Sequence, residues 1–322
     1  TRGKVPIGLG LSGSWLGTMI AMSSFGLDHV VGTTILGGIF YVLFALLIKF
    51  QPKVLKIFTP YILNLAVFMI AVNLIGTGVG LVMAAPITGI VTIIGIALFN
   101  QFKHTKQFAF PLGILAGTLV HGLMYGLTST VSGVFIPTFV SPAFNTTTFV
   151  ASLIFFALAT EALGDSKLAA DVTGNKYEPD KVILGNGVAS IVAGLFGGMS
   201  VTTYSESCAY VRATGFAHPL SIVVAGILFI IMSFIPVVNY VIGFIPGAAL
   251  AGMLLYLFSL VAMSKISETH AKDDGELLVG ILGLAAFFLA PQLLPNISQI
   301  AVGMITMIVT HLVLQGIKKI KK

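Results

Sequence analysis

The chain has 322 residues, of which 57% are hydrophobic and only 9% are charged. Soluble domains carry about 25% charged residues, so the mean hydropathy of +1.03 excludes an ordinary soluble protein and predicts an all-α polytopic membrane protein. The single cysteine excludes a disulfide framework. The net charge of +6 falls in short loops and at the C-terminus, which indicates membrane topology rather than nucleic-acid binding.

The N-terminal segment opens with a basic entrance, Arg2 and Lys4, followed by a Gly-rich stretch over residues 5–15. This stretch is predicted to be extended before the chain turns into a short apolar helix at roughly 14–25. A full membrane helix needs about 20 apolar residues. The segment therefore predicts a broken crossing.

Eleven further apolar segments follow, so the sequence predicts about twelve crossings in all. They lie at roughly 28–49, 54–76, 84–102, 107–128, 146–165, 180–197, 203–214, 218–240, 246–264, 275–291 and 295–316. Basic residues follow the second and fourth crossings, for example Lys49 and Lys103, whereas the loops at 77–83, 129–145 and 241–245 carry none. This alternation predicts a multi-pass protein of the cell membrane with both termini in the cytoplasm.

The long uncharged connection at 128–148 separates two halves, and a second broken crossing lies in the later half, at 197–215. That stretch begins with Gly197 and Gly198, passes through the β-prone run 201–204, and is predicted to become helical only near Ser205. Non-helical backbone at membrane depth survives where it lines a cavity. One broken crossing in each half is the pattern of an inverted-repeat transporter with a binding site between the broken segments.

Four acidic residues fall within or beside apolar crossings: Asp28, Glu161, Asp165 and Glu206. A carboxylate at the centre of a membrane helix costs about 2.5–3.5 kcal/mol, so it persists where it faces a cavity or a partner. Glu161 and Asp165 are four residues apart and share one helix face, which suits proton or cation coupling. Pairing of Asp165 with Lys167 at the end of the crossing is the alternative.

The predicted site has acceptors and donors for a planar, amide-like heterocycle. Ring N–H groups would donate to the carboxylates of Glu161 and Glu206, and ring carbonyls would accept from the backbone amides of the two half-helix starts. These starts comprise Gly13 and Ser14 in the first half and Ser205 in the second. Trp15 is expected either to stack on a flat ligand or to pack, and Tyr204 either to line the cavity or to brace the strand.

An enzyme is not expected, because the sequence has no Walker loop, no Ser-His-Asp order and no HExxH motif. No cofactor or metal site is expected either. The coupling ion would be a proton or, alternatively, sodium.

The run Thr202-Thr203-Tyr204-Ser205-Glu206, continuing to Thr214-Gly215, resembles the signature of the nucleobase–cation symporter-2 (nucleobase–ascorbate transporter) family. Glu206, Thr214 and Gly215 fit the signature at its spacing, whereas Ser207 replaces the usual Asn and Ala209 the usual Gly. The run 161–165 resembles the second acidic motif of the family, and 4–10 resembles the entrance to its first broken crossing.

The resemblance implies a fold of fourteen crossings in two inverted sevens, of which this chain would lack the first two. The core domain would comprise residues 1–50 and 146–243, and the gate domain 51–145 and 244–322. Strand-containing crossings at 5–15 and 199–210 would hold the substrate, with Glu161 and Glu206 on its ring. Transport would follow an elevator-type mechanism in a homodimer embedded in the lipid bilayer.

The resemblance also bears on the substrate, a small-molecule nucleobase. Glu206 is typical of the uracil-type members, so we expect uracil. Asp165 resembles the purine-type second motif, which makes a xanthine or purine permease the alternative. A sulfate- or bicarbonate-type anion transporter of the same fold and a membrane receptor without transport activity are further alternatives.

Overall fold

The computed structural model describes most of the chain. The described residues are 7–11, 15–129, 139–174, 176, 178–203, 218, 220–294 and 299–320. In these ranges the protein is built of α-helices, with one two-stranded antiparallel sheet. The predicted all-α membrane fold with short strands in its broken crossings is confirmed.

The elements of the first part of the chain end at residue 125. They are β1 (Leu9–Leu11), α1 (Leu16–Ser23), α2 (Leu27–Phe50), a 3-10 helix (Pro52–Ile57), α3 (Pro60–Val82), α4 (Pro86–Gln101), a second 3-10 helix (Lys106–Phe108) and α5 (Ala109–Tyr125).

The elements of the second part begin at residue 146. They are α6 (Thr146–Ser152), α7 (Phe155–Thr173), α8 (Pro179–Leu195), β2 (Val201–Thr203), α9 (Leu220–Ser233), α10 (Pro236–Ile242), α11 (Gly247–Glu268), α12 (Asp274–Leu293) and α13 (Gln299–Ile320).

Among the described residues, proline is the first residue of four α-helices: Pro60, Pro86, Pro179 and Pro236. The first N–H groups of a helix have no intrahelical acceptor, so proline loses nothing there and its fixed φ favours the helix. The local sequence therefore predicts where these helices begin.

Five helices of the described residues are long and apolar enough to cross a membrane, namely α2, α3, α11, α12 and α13. The bent pair α9 and α10 would make a sixth span, and α4 and α5 are shorter apolar helices. Many large apolar side chains on these helices are exposed, such as Leu123 at 88% and Phe229 at 70%. Such surfaces suit lipid rather than water, so the chain has the architecture of a multi-pass membrane protein.

Backbone proximity divides the described chain into two compact units. One unit lies within residues 1–70, 137–224 and 265–322, and it contains both strands together with α1, α2, α6, α7, α8, α12 and α13. The other lies within residues 71–136 and 225–264 and contains α4 and α5. The division into core and gate stays a prediction.

Glycines bring α2 and α8 into close contact within the first unit. A Cβ added at Gly187 would lie 2.8 Å from the carbonyl oxygen of Gly38, and one added at Gly38 would lie 2.7 Å from Ile191 Cγ1. A Cβ at Gly194 would lie 2.7 Å from Ile35 Cγ1. Small residues let membrane helices pack backbone to backbone, so α8 is held firmly against α2.

A similar contact joins α4 and α5 in the second unit. A Cβ at Gly113 would lie 2.8 Å from the backbone nitrogen of Ile96 and 3.0 Å from the carbonyl oxygen of Thr92. His121 adds a polar link, because its Nδ1 lies 3.0 Å from Thr88 Oγ1.

Three predicted crossings differ from the structure in their bounds. The crossing predicted at 54–76 is a 3-10 helix followed by α3, because Pro60 starts a new helix with Thr59 before it. The crossing predicted at 146–165 is broken at 153–154 and its second part, α7, extends to Thr173, where Gly174 in the left-handed conformation (φ +65°) ends it. The crossing predicted at 218–240 is two helices, α9 and α10, with a bend of 95° between them.

Candidate functional site

The two strands of the broken crossings form an antiparallel ribbon. Leu9 pairs with Thr203, Gly10 with Thr202 and Leu11 with Val201. Extended backbone inside the broken crossings is therefore confirmed, and the two crossings meet through it. The ribbon joins a segment near the start of the chain to one in its second half, which agrees with broken crossings that meet at the interface of two repeats.

Two glycines connect α8 to β2. Gly197 has φ +75°, and the N–H of Gly198 donates to the carbonyl of Ala193 at 2.7 Å. A residue in the left-handed region closes the last helical turn and redirects the chain. The chain then enters β2, where the β-branched side chains of residues 201–203 favour extended backbone.

A short helix follows the first strand, as predicted. Helix α1 begins at Leu16 directly after Trp15, with no side-chain cap on its first turn. The first four N–H groups of a helix lack intrahelical acceptors and form a positive end. Gly13 and Ser14 lie outside the described residues, as do Tyr204, Ser205 and Glu206 and with them the predicted half-helix of the second crossing.

The side chain of Trp15 is fully buried, at 0% exposed. Its ring edge covers Gly37 of α2, where an added Cβ would lie 2.8 Å from Trp15 Cζ2. The indole Nε1 has no hydrogen-bond partner in the described ranges. The structure thus gives Trp15 a packing role between the start of α1 and α2, and its stacking on a ligand stays a prediction.

Glu161 lies in the middle of α7, partly buried and next to the fully buried Thr160. Helix α7 contacts β2, so the helix that carries this carboxylate packs against the ribbon. Asp165 follows one turn later on the same helix, and its side chain lies outside the described part. The residues that the structure describes contain no group of three His, Cys, Asp or Glu side chains that could hold a metal ion.

Buried hydroxyl groups line the second strand. Thr202 and Thr203 are each 1% exposed, and neither hydroxyl has a partner among the described residues. A buried polar group without a partner costs about 1–3 kcal/mol, so each such group calls for an explanation. They add two uncharged polar candidates beside the carboxylates.

Helix α8 carries two polar residues that sequence reasoning missed, Asn186 and Ser190. Both are 0% exposed, and Ser190 is hydrogen-bonded to the segment that enters β2. Neither amide atom of Asn186 has a partner in the part of the chain that the structure describes. Their spacing of four places them on one helix face. That spacing inside the apolar segment 180–197 is the signal that could have found them.

Comparison with known proteins identifies relatives over most of the chain. A family profile described as "Permease family" matches residues 1–288. The permease RutG of Escherichia coli K12 is 27% identical over 294 residues, which cover 82% of this chain and 66% of that protein. The nucleobase transporter PlUacP of Paenibacillus larvae is 25% identical over 304 residues, covering 84% and 67%.

The uracil permease of Bacillus subtilis is 25% identical over 299 residues, which cover 82% of this chain and 68% of that protein. The chain thus spans about two thirds of the length of these curated relatives. These proteins are permeases and not enzymes, in agreement with the prediction.

Among solved structures, the transmembrane domain of a cyanobacterial bicarbonate transporter, BicA, superposes with a TM-score of 0.66 at 14% identity. The match covers 96% of this chain and 85% of that domain, so the two share a fold. The family profile covers both strands, α7 and α8 as well as the signature residues. The chain belongs to the permease family of nucleobase–ascorbate transporters.

Proposed function

We propose that the protein is a secondary active transporter of a nucleobase, with uracil as its expected substrate. The observation that carries the proposal is the β1–β2 ribbon, which joins the two broken crossings and packs against the helix that carries Glu161. Family membership, a relative named as a nucleobase transporter and another named as a uracil permease support the same substrate class. Glu206 in the signature favours uracil over xanthine.

Recognition of the base follows from its hydrogen-bonding edge. Uracil has ring N–H donors and ring carbonyl acceptors in one plane. The carboxylates of Glu161 and Glu206 accept from the N–H groups, and backbone amides at the two half-helix starts, near Gly13 and Ser205, donate to the carbonyls. Ser14, Trp15 and Tyr204 complete the proposed binding surface.

Coupling rests on the carboxylates of α7. Glu161 and Asp165 share one face of that helix, and two like charges at this spacing repel. Binding of a proton to one of them relieves the repulsion. When Asp165 takes the proton, Glu161 keeps its charge as the acceptor of the ring N–H, so proton uptake and base binding favour each other. Sodium is the alternative coupling ion, because a cation between the two carboxylates would have the same effect.

The proposed movement is of the elevator type, with the core (1–50 and 146–243) moving against the gate (51–145 and 244–322). The protein acts as a homodimer in the cell membrane with both termini in the cytoplasm. The alternation of basic and uncharged loops supports this orientation.

A second candidate is an anion transporter, because the transmembrane domain of a bicarbonate transporter has the same fold. Half-helix N-termini suit an anion, but two carboxylates in the site repel one. The two candidates therefore differ in their response to bases and to bicarbonate.

The first test is a thermal-shift screen of the purified protein against uracil, xanthine, hypoxanthine, adenine and bicarbonate. A ligand at 100 times its dissociation constant stabilises the folded state by about 2.7 kcal/mol, so uracil should raise the Tm most. Stabilisation by bicarbonate without any response to bases would favour the anion transporter. Uptake into liposomes under an imposed pH or sodium gradient then identifies the coupling ion and separates a transporter from a receptor.

The second test is Glu206→Gln, which exchanges a pure acceptor for an amide that also donates. We expect weaker uracil binding and a shift in preference toward xanthine. The matched control is Glu268→Gln, because Glu268 is an exposed carboxylate paired with Lys265 at 2.9 Å. Unchanged uptake of both bases by Glu206→Gln would refute the site assignment.

A further inference from the structure

The outer edge of β2 is hydrogen-bonded by a side chain. The N–H of Val201 donates to Ser190 Oγ at 3.2 Å, and the hydroxyl of Ser190 donates to the carbonyl oxygen of Val201, also at 3.2 Å. Backbone groups of alternate residues in an antiparallel pair point to the partner strand or away from it. An edge strand leaves the N–H and carbonyl groups that point away from its partner without a strand partner. At Val201 one serine of α8 bonds to both groups.

A third hydrogen bond completes this arrangement. Ser200 Oγ lies 2.9 Å from Ser190 Oγ, and both side chains are 0% exposed. A serine hydroxyl has one donor and two acceptor positions. With the Val201 N–H as a donor to it and the Val201 carbonyl as its acceptor, Ser190 has one acceptor position left, which the Ser200 hydroxyl can fill.

The ribbon depends on this contact for its position. Each strand has three residues, and a short two-stranded pair is marginally stable by itself. Helix α8, in contrast, is fixed to α2 through Gly187 and Gly194, which flank Ser190 on the helix. Ser190 therefore fixes the short strand β2 in place relative to the closely packed helices α2 and α8.

The segment that follows β2 directly contains Tyr204, Ser205 and Glu206, the proposed base-binding residues. Binding geometry tolerates errors of about 0.5 Å in the groups that contact a ligand. Only one to three peptide units separate these residues from Thr203 in the sequence, so the position of β2 sets where the segment that carries them begins.

We propose that Ser190 is a positioning residue for the substrate site: it holds β2 against α8 and thereby sets substrate affinity and base preference without contacting the base. This inference rests on the proposed function, and it adds to it a residue outside the family signature.

The test measures uptake of uracil and xanthine in liposomes for Ser190→Ala, Ser190→Thr and the wild type, with a melting curve for each. Ser190→Ala removes the side-chain partner of the part-buried Val201 N–H and carbonyl. We expect its KM for uracil to rise about tenfold, equivalent to roughly 1.4 kcal/mol, with the maximal rate within about twofold and an altered uracil-to-xanthine ratio. Ser190→Thr keeps the hydroxyl and should restore most of the affinity.

The matched control is Ser152→Ala. Ser152 is another fully buried serine of the same unit, and its hydroxyl donates to the carbonyl of Phe149 one turn earlier in its own helix, at 2.6 Å. Its removal should leave KM and base preference unchanged. A folded Ser190→Ala protein with wild-type KM and base preference would overturn the proposal, and so would a loss confined to the maximal rate.

If Ser190→Ala does not fold, Ser190→Cys decides, because a thiol is only a weak donor and acceptor and therefore weakens both bonds to Val201 while it keeps a side chain of similar size. A severalfold rise in KM is expected, and an unchanged KM overturns the proposal. Failure of the proposed function is visible separately, since the wild type itself would then neither bind nor transport a base.

Discussion

The contact between α2 and α8 can be tested with two identical substitutions placed two residues apart. A Cβ at Gly187 would lie 2.8 Å from the carbonyl oxygen of Gly38 and 2.9 Å from Tyr41 Cβ, whereas one at Gly185 would meet nothing within 4 Å. Contacts become ordinary at 3.4 Å, so the helices must separate by about 0.6 Å (3.4 − 2.8) to accept alanine at 187. The carbonyl oxygen belongs to the backbone and cannot rotate away.

Both substitutions gain helix propensity by about 0.8–1.0 kcal/mol, and this gain cancels when the two variants are compared. Overpacking of a tight contact costs about 1–3 kcal/mol. Gly187→Ala should therefore be less stable than Gly185→Ala by about 1–3 kcal/mol, which lowers the Tm by a few degrees.

The assay is thermal unfolding of the purified protein in detergent, followed by the fluorescence of Trp15, the only tryptophan of the sequence. Its ring is buried against Gly37 on the same helix α2, so its emission responds to separation of the helices. A Tm for Gly187→Ala equal to or above that of Gly185→Ala would refute the close-packing argument.

Three further predictions concern helix ends. Asn145→Ala removes the side chain that accepts from the Thr148 N–H at the start of α6 and should lower the free energy of unfolding by about 1 kcal/mol. Asn145→Asp keeps an acceptor and should retain most of the wild-type stability. Equal losses of stability in the two variants would argue against the cap. Gly174→Ala places a Cβ in the left-handed region (φ +65°) and should lower the free energy of unfolding by about 1–2 kcal/mol, whereas Gly174→Asn should lower it less. An unchanged free energy of unfolding for Gly174→Ala would contradict this prediction. The hydrogen bond from Lys318 lowers the pKa of the Asp273 carboxyl, so this carboxylate stabilises the folded state above its unfolded pKa, and the contribution is lost as the pH falls through its folded pKa. Asp273→Asn should therefore flatten the acid side of a plot of Tm against pH, and an unchanged acid side would count against the ion pair.

The two strands could be predicted because the local sequence and the membrane environment agree there. Glycines interrupt an apolar chain at 8–13 and 197–198, and β-branched residues follow in the second segment. Their pairing with each other depends on the tertiary structure, although the inverted-repeat pattern indicated that both belong to one site.

Helix bounds were harder to predict from hydropathy, since an apolar run does not show where one helix stops and the next begins. The Thr59-Pro60 pair starts α3, with the Ile62 N–H donating to the Thr59 hydroxyl at 3.3 Å, yet the apolar run begins earlier. The bend before Pro236 lies in a continuous apolar stretch, where the Asn239 side chain donates to the carbonyl of Ser233 at 2.7 Å. Proline was the available signal in both places.

The spacing of Asn186 and Ser190 on α8 could have singled them out, but the partners of Ser190 could not be predicted. A carboxylate in an apolar crossing stands out because burying its charge is costly, and Glu161 was selected as a candidate in this way. Ser190 costs little to bury, since a serine hydroxyl can bond within its own helix. Only the folded chain shows that its partners are Ser200 and Val201.

The pairing of β1 with β2 also constrains how the protein is made. The pair between Leu11 and Val201 cannot form until Val201 has been synthesised. Closing the long loop between these two residues is entropically costly and slow. During synthesis the first broken crossing therefore enters the membrane without its partner strand, and its open backbone groups need temporary partners such as water or the insertion machinery. The ribbon is completed only after α2 to α8 have been inserted, so a chain that stops before β2 leaves the first strand without its permanent partner.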